Sequence, residues 1–274
     1  MNQGDHAPRI AVMTSQSLPG IGDLLLQPNR GSVYHIVAVI GSEESIAEQE
    51  CIEAAGVPLI LRPIRRFHEE RGLPLRNLHA RAEYDMDTAE VLRALGVDWL
   101  IIAGYQYIIT EPLLAAFPEH IIAIHDGDLT IRDEDGNRPY ASLHAVRDAI
   151  MDGRNETRTS AYLVTARVGE GPLFLLGAPY PVAPLARAAR DSGDLDMLLA
   201  YAELHRRWMR RAAWGEMLTR ISEIVAAGTM QIVGDVVWID GVPGPCRIGS
   251  APEVCHEREA AQSGTPASCP FVSR

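Results

Sequence analysis

The segment DWLIIAGYQYIITEPLLAAFPEHIIAIH, residues 98–125, decides the fold class. Its first part, DWLIIAGY (98–105), is apolar on both faces of a pleat, as expected of a central strand in a sheet covered on both sides. EPLLAAFP (111–118) carries Pro112 near its start, where a helix tolerates proline. HIIAIH (120–125) is a second apolar run, and IIAIHDGDLT (121–130) sets His125, Asp126 and Asp128 around one glycine. Strand, short helix and strand in so short a span make a parallel crossover unit. Function in such sheets gathers at the carboxyl ends of the strands. His125 stands at such an end, beside Ala103, Gly104 and Tyr105 of the neighbouring strand.

The same alternation extends toward the N-terminus. RIAVMT (9–14), YHIVAVIG (34–41) and PLILRP (58–63) read as strands, and GIGDLLLQ (20–27) as a helix opening. SEESIAEQECIEAAGV (42–57) has serine caps, glutamates in its first turn and a glycine stop, and reads as one helix. DMDTAEVLRALGV (85–97) is another helix. Past His125 the pattern loosens. YASLHAVRDAIMDG (140–153) is helical, while TRTSAYLVTARV (157–168) and GPLFLLGAPYPV (171–182) form an antiparallel pair around Gly169, Glu170 and Gly171. A long helical segment spans 194–228, and MQIVGDVVWIDG (230–241) is a hairpin turning at Gly234-Asp235. The expected architecture is α/β: a Rossmann-like, mostly parallel twisted sheet flanked by helices, with an antiparallel strand pair in the second half. The expected organisation is an α/β domain over 8–228, a hairpin over 229–241 and a loose, Gly-, Pro- and Ser-rich tail over 242–274.

The bulk properties narrow the function classes. A net charge of −11 argues against a general nucleic-acid or anionic-membrane binder. No apolar run approaches the roughly 20 residues of a membrane span, and the start MNQGDHAPRI lacks the features of a signal peptide. A cytoplasmic protein is expected. Cys246, Cys255, His256 and Cys269 contain no Cys-x-x-Cys pair, so no metal site is assigned to them. Asp133, Asp135 and Asn137 have the 1-3-5 spacing of a calcium loop, but the glycine is misplaced and His144 stands at the twelfth position. The segment DGDLTIRDEDGNRPY (126–140) is therefore read as a solvated turn or a substrate lid. LHRRWMRRAAW (204–214) reads as a helix with one core face and one solvated face, although its arginines and tryptophans also suit a phosphate-bearing ligand.

The order from Asp98 to Asp128 resembles the folate-dependent formyltransferases, closest to the branch that formylates glycinamide ribonucleotide. SLHAVRDAI, LVTARVGEGPLFLLGAPYPV and ELHRRWMRRAAWGEML resemble that family's later helix, hairpin and C-terminal helix. The resemblance implies a formyl donor, 10-formyltetrahydrofolate, and a small-molecule amine acceptor. It also implies three catalytic groups: a histidine, an asparagine two residues before it, and an aspartate in the hairpin loop that orients the histidine. His125 matches the histidine, whereas Ala123 and Gly169 stand where the asparagine and aspartate belong. Asp126, Asp128 and Glu170 are the carboxylates placed to replace the missing partner. Gln106, Tyr107, Ile108 and Ile109 correspond to the pterin-binding edge, and Thr165, Ala166, Arg167, Val168 and Gly169 to its opposite wall. In the family a glycine-rich first loop holds the substrate phosphate. Here that loop, TSQSLPGIGDLLL, offers Ser15 and Gln16 but no basic residue, so glycinamide ribonucleotide is not the expected substrate. A fold that has exchanged formyl transfer for hydrolysis, cyclisation or simple ligand binding is the competing expectation. The sequence leaves the oligomeric state open.

Overall fold

The computed structural model describes residues 7–248. The parallel core of its main sheet comprises β1 (Arg9–Thr14), β2 (His35–Gly41), β3 (Leu59–Leu61), β4 (Trp99–Ala103) and β5 (Ile121–His125). Antiparallel β7 (Ser160–Leu163) pairs with β5 and with antiparallel β8 (Leu173–Leu176), and β13 (Cys246–Arg247) closes the edge parallel to β8. The order across the sheet is β3-β2-β1-β4-β5-β7-β8-β13. The expected α/β fold with an antiparallel pair in its second half is therefore present. The sequence order reverses between β1 and β4, which opens a crevice at their carboxyl ends.

Strand parity distributes the core onto both faces. Ile10, Val12, Ile101, Ile122 and Ile124 point to one face, which is covered by α1 (Ile21–Leu25), α2 (Gln49–Ala54) and α8 (Leu195–Ala227). Ala11, Met13, Leu100, Ile102 and Ala123 point to the other, where α4 (Leu78–Ala94) and α5 (Glu111–Ala116) pack. Every residue of β4 is buried, as its two-sided apolarity requires.

Three local departures from the sequence reading have physical causes. The helix expected over 42–57 shrinks to α2, because Ser42 is used at the end of β2: its amide donates to Thr14 O and its hydroxyl to Ser15. α4 starts at Leu78, well before Asp85, because Asn77 caps it by accepting from the Ala80 amide at 3.0 Å. The Pro-bearing stretch before it contains a further helix, α3 (Ile64–Glu69).

In the second half, α6 (Ala145–Met151) is shorter than its expected segment. The strands β6 (Glu156–Thr157) and β9 (Tyr180–Pro181) pair on their own, and α7 (Pro184–Ser192) precedes α8. β10 (Met230–Val233) and β11 (Val236–Ile239) make the hairpin, extended by β12 (Val242–Pro243). Val237 and Ile239 join the core of the main sheet, so the hairpin packs as part of that body. Residues 242–248, expected as the start of a loose tail, instead supply β12 and β13. The rest of that segment, including Cys255, His256 and Cys269, lies outside the described residues. No helix among the described residues is long and apolar enough to cross a membrane.

Candidate active site

His125 leaves the end of β5 at the crevice, and its ring is fixed by backbone. Nε2 lies 2.7 Å from the carbonyl oxygen of Tyr140. A carbonyl can only accept, so Nε2 carries the proton and the lone pair resides on Nδ1. Burial holds the imidazole pKa below the usual histidine value, against the raising effects of the Tyr140 carbonyl and the Asp126 charge; Arg210 and Arg138 push it lower still. The neutral form is thus favoured. A Cβ on Gly127 would collide with the Tyr140 carbonyl oxygen and stand 3.1 Å from His125 Cδ2, so only glycine leaves room for this contact. Because the Nε2–Cδ2 edge is packed there, Nδ1 faces away from it.

The orienting carbonyl is itself well held. The Tyr140 ring is buried, and its hydroxyl donates to Asp152 at 3.1 Å and accepts from Arg154 at 2.9 Å. Ser160, paired with His125 in the β5–β7 register, donates to Gly127 O at 2.7 Å and accepts from Leu129 N at 3.1 Å.

The three replacement carboxylates separate. Asp126 is buried, but it turns to α8: Arg210 Nε donates to Oδ2 at 2.5 Å and Trp214 Nε1 to Oδ1 at 3.1 Å. Asp128 accepts from the Thr130 amide at 3.0 Å and from the Thr130 hydroxyl, with Arg158 3.7 Å away. It closes a turn rather than touching His125. Glu170 lies 3.7 Å from Arg132 on the far side of the hairpin loop. Among the described residues no carboxylate comes within 4.0 Å of a His125 nitrogen. The partner of the histidine is a backbone carbonyl, a group without a side-chain signature.

The departure at position 169 has a steric explanation; the structure offers none for the one at 123. Gly169 has φ 72°, and a Cβ there would sit 2.9 Å from the Ala141 Cβ. The 138–141 stretch occupies the space a side chain at 169 would need. Arg138, 8% exposed, reaches under the hairpin and donates to Gly169 O at 2.6 Å and Gly171 O at 3.0 Å. Ala123 shares the face of β5 with His125 and offers no donor.

Two chambers meet at His125. One, of about 340 Å³, is mainly apolar and is lined by Tyr107, Ile108, Ile109, Ala123, Val164 and Val168, among others. Gln106, Thr165 and Gly169 also line it, so seven of the nine residues assigned to the pterin edge and its opposite wall are brought together. Ala166 and Arg167 face a different cavity. The amides of Tyr107, Ile108 and Ile109 bond to no other described protein group, which leaves a free backbone edge along the chamber. α4 holds that edge from behind. Asp85 accepts from the Thr110 amide and hydroxyl at 2.7 and 2.6 Å, and Arg81 donates to Tyr105 Oη and Ile108 O at 3.4 and 3.5 Å.

The second chamber, about 410 Å³, is polar and includes Asp126, His144, Arg147, Glu203, Arg206 and Arg210. Gly104, Tyr105, Gln106, Ile124, His125, Ser142 and Leu143 border both. α8 therefore contributes two of the four arginines of LHRRWMRRAAW, Arg206 and Arg210, to the site as well as its core face.

The first loop is arranged differently from the expectation. Ser15 is fully buried and structural: its hydroxyl accepts from Ser42 at 2.9 Å and from the Gln106 amide at 3.1 Å. Gln16 is exposed and lines neither chamber. The loop donors Leu18 N and Ser17 Oγ are taken by the Glu48 carboxylate at 2.7 and 3.1 Å. An internal carboxylate thus sits where the resemblance put a substrate phosphate. In the 126–140 loop, Asp133 Oδ1 accepts from the Asn137 and Asp135 amides at 2.7 and 3.1 Å, which makes this stretch a turn.

Comparison with known proteins identifies the family of the chain. The family model described as formyl transferase matches residues 8–184, from β1 to the start of α7. Formyltetrahydrofolate deformylase of Escherichia coli K12 is 28% identical over 189 residues, 67% of this chain and 60% of that protein. Phosphoribosylglycinamide formyltransferase of Haemophilus influenzae is 30% identical over 109 residues, 40% of this chain and 47% of that protein. The chain thus spans about 60% of the length of the deformylases it matches. Glycinamide ribonucleotide transformylase 1 from Symbiobacterium toebii superposes with a TM-score of 0.66 at 27% identity, covering 87% of this chain and 97% of that one. The chain belongs to the formyl transferase family.

Proposed function

We propose that the protein moves a formyl group from 10-formyltetrahydrofolate to the amine of a small-molecule acceptor other than glycinamide ribonucleotide. The observation that carries this reading is the pair of chambers sharing one wall at His125. The apolar chamber with its free backbone edge suits a flat, hydrogen-bonding ring such as a pterin. The polar chamber suits a second, charged reactant. A hydrolase needs only the first, with water.

In this reading the acceptor amine attacks the formyl carbon, and His125 Nδ1 accepts the amine proton. Collapse of the tetrahedral intermediate breaks the bond between carbon and folate N10, which takes that proton, leaving formamide and tetrahydrofolate. Gln106 supplies the one side-chain amide common to both chambers. In this reading its amide donates toward the developing oxyanion in place of the side chain absent at Ala123. Asp126 keeps α8 against the end of β5 and takes no proton. Glu48, by filling the first loop, excludes the phosphate of a nucleotide-like acceptor from that position. The second reading is hydrolysis of the donor to formate, favoured by the deformylases among the relatives and by the neutral His125, which is equally able to activate water.

Binding and product analysis separate the readings. Reduced 10-formyl-folate is expected to bind and, with a mixture of amines, to yield formamides in excess of formate. His125→Ala is expected to lower turnover by about 10²–10⁴. Formate as the sole product selects the hydrolytic reading. Absence of folate binding at about 1 mM, equivalent to roughly −4 kcal/mol, defeats both.

A further inference from the structure

A third cavity lies on the other side of the hairpin loop from the folate-type chamber. It measures about 550 Å³ and is lined by Arg132, Arg138, Arg167, Glu170, Asp235 and Thr165, among others. Arg138 is the unusual member. It is more than nine-tenths buried, yet no carboxylate lies within 4.0 Å of it among the described residues; its two bonds go to the neutral carbonyls of Gly169 and Gly171. Its Nε is buried without any partner. A buried cation without a counter-charge is costly, and such groups are normally paired. Arg132 adds positive charge beside it, which the Glu170 carboxylate offsets in part from beyond 4.0 Å, and the Arg167 side chain makes no ion pair among the described residues. Two carboxylates line the same cavity, but Glu170 is 3.7 Å from Arg132 and partly exposed, and Asp235 is an exposed hairpin residue. The lining therefore carries three guanidinium groups against two carboxylates.

We propose that this cavity is a binding site for a compact multivalent oxyanion, held by Arg132, Arg138 and Arg167. Phosphate or clustered carboxylate oxygens would compensate Arg138 and receive the guanidinium forks of Arg132 and Arg167. The site shares Thr165 with the apolar chamber and no lining residue with the polar one, and it acts on them through the hairpin. Arg138 holds Gly169, and Gly169, with Thr165 and Val168, walls the apolar chamber. Anion binding would stiffen that wall and raise affinity for a ligand in the chamber.

The test is calorimetric titration of the full chain, at low ionic strength, with inorganic pyrophosphate and separately with a γ-linked glutamate tripeptide. At least one is expected to bind, and the tighter of the two identifies the source of the oxygens. Arg167→Gln, an exposed position, is expected to weaken binding about 10-fold, as loss of a charge-assisted bond does. Arg138→Gln is expected to weaken it more, and its circular dichroism and melting curve report whether the fold survives. The proposal is overturned if neither anion binds, or if Arg167→Gln and Arg132→Gln both bind as the wild type does. It is also overturned if Arg206→Gln, in the polar chamber, abolishes binding while Arg167→Gln does not.

Discussion

Replacing Asp126 by Asn tests whether this carboxylate is a tether or a catalytic group. It is buried, with both oxygens engaged by α8 through Arg210 and Trp214. The amide keeps the shape and one acceptor oxygen, but it leaves the Arg210 guanidinium without its counter-charge. Removing one partner of a buried ion pair costs about 3–5 kcal/mol. The Arg210 side chain is 22% exposed and the Asp126 side chain 9%. Water therefore recovers part of that cost, and a loss of about 2–4 kcal/mol is expected. At roughly 2–4 °C per kcal/mol for a chain of this size, the melting temperature should fall by about 4–16 °C. A double-mutant cycle with Arg210→Gln, read by urea denaturation, should give a coupling energy of about 1–3 kcal/mol. Folded Asp126→Asn should keep turnover within about 10-fold of wild type, because no proton passes through the residue. The opposite pattern, unchanged stability with turnover reduced by 10² or more, would refute the tether and make Asp126 the acid–base partner of His125.

Two further outcomes follow from the same geometry. Burial holds the pKa of His125 and of His205 below 6.5, so below that pH the unfolded chain gains protons that the folded one resists. Stability should stay level from pH 8 down to about 6.5 and decline below it, and the acid limb of kcat/KM should also lie below about 6.5. A limb centred above that value counts against neutral His125 as the base. Ser160→Ala strands the buried Gly127 carbonyl and Leu129 amide, each costing about 1–3 kcal/mol. A loss of about 2–4 kcal/mol in urea denaturation is expected, and a change under about 0.5 kcal/mol would show that these groups find other partners.

The sequence by itself determined the sheet and set His125 at the carboxyl end of one of its strands. β4 and β5 are apolar runs bounded by turns, and their parity fixes which residues face α8 and which face α4. Such information is local and periodic, so it is legible without coordinates. The same holds for His125 at a strand end, since position along a strand follows from the run that contains it; the 106–109 edge came from the family resemblance alone. The partner of His125 was decided only by the tertiary structure. Asp126 and Asp128 are its neighbours in sequence, yet one pairs with Arg210, 84 residues away, and the other closes its own turn. Tyr140 serves through its backbone oxygen, which every residue possesses, so no residue type could announce it. Glu48 lies in a run with helical periodicity, but folding brings it to the first loop, and Arg138 lies within an acidic stretch whose composition suits a solvated turn. Periodicity records which face of an element is dry. Which polar groups meet across that face depends on distances between elements, and these exist only once the chain has packed.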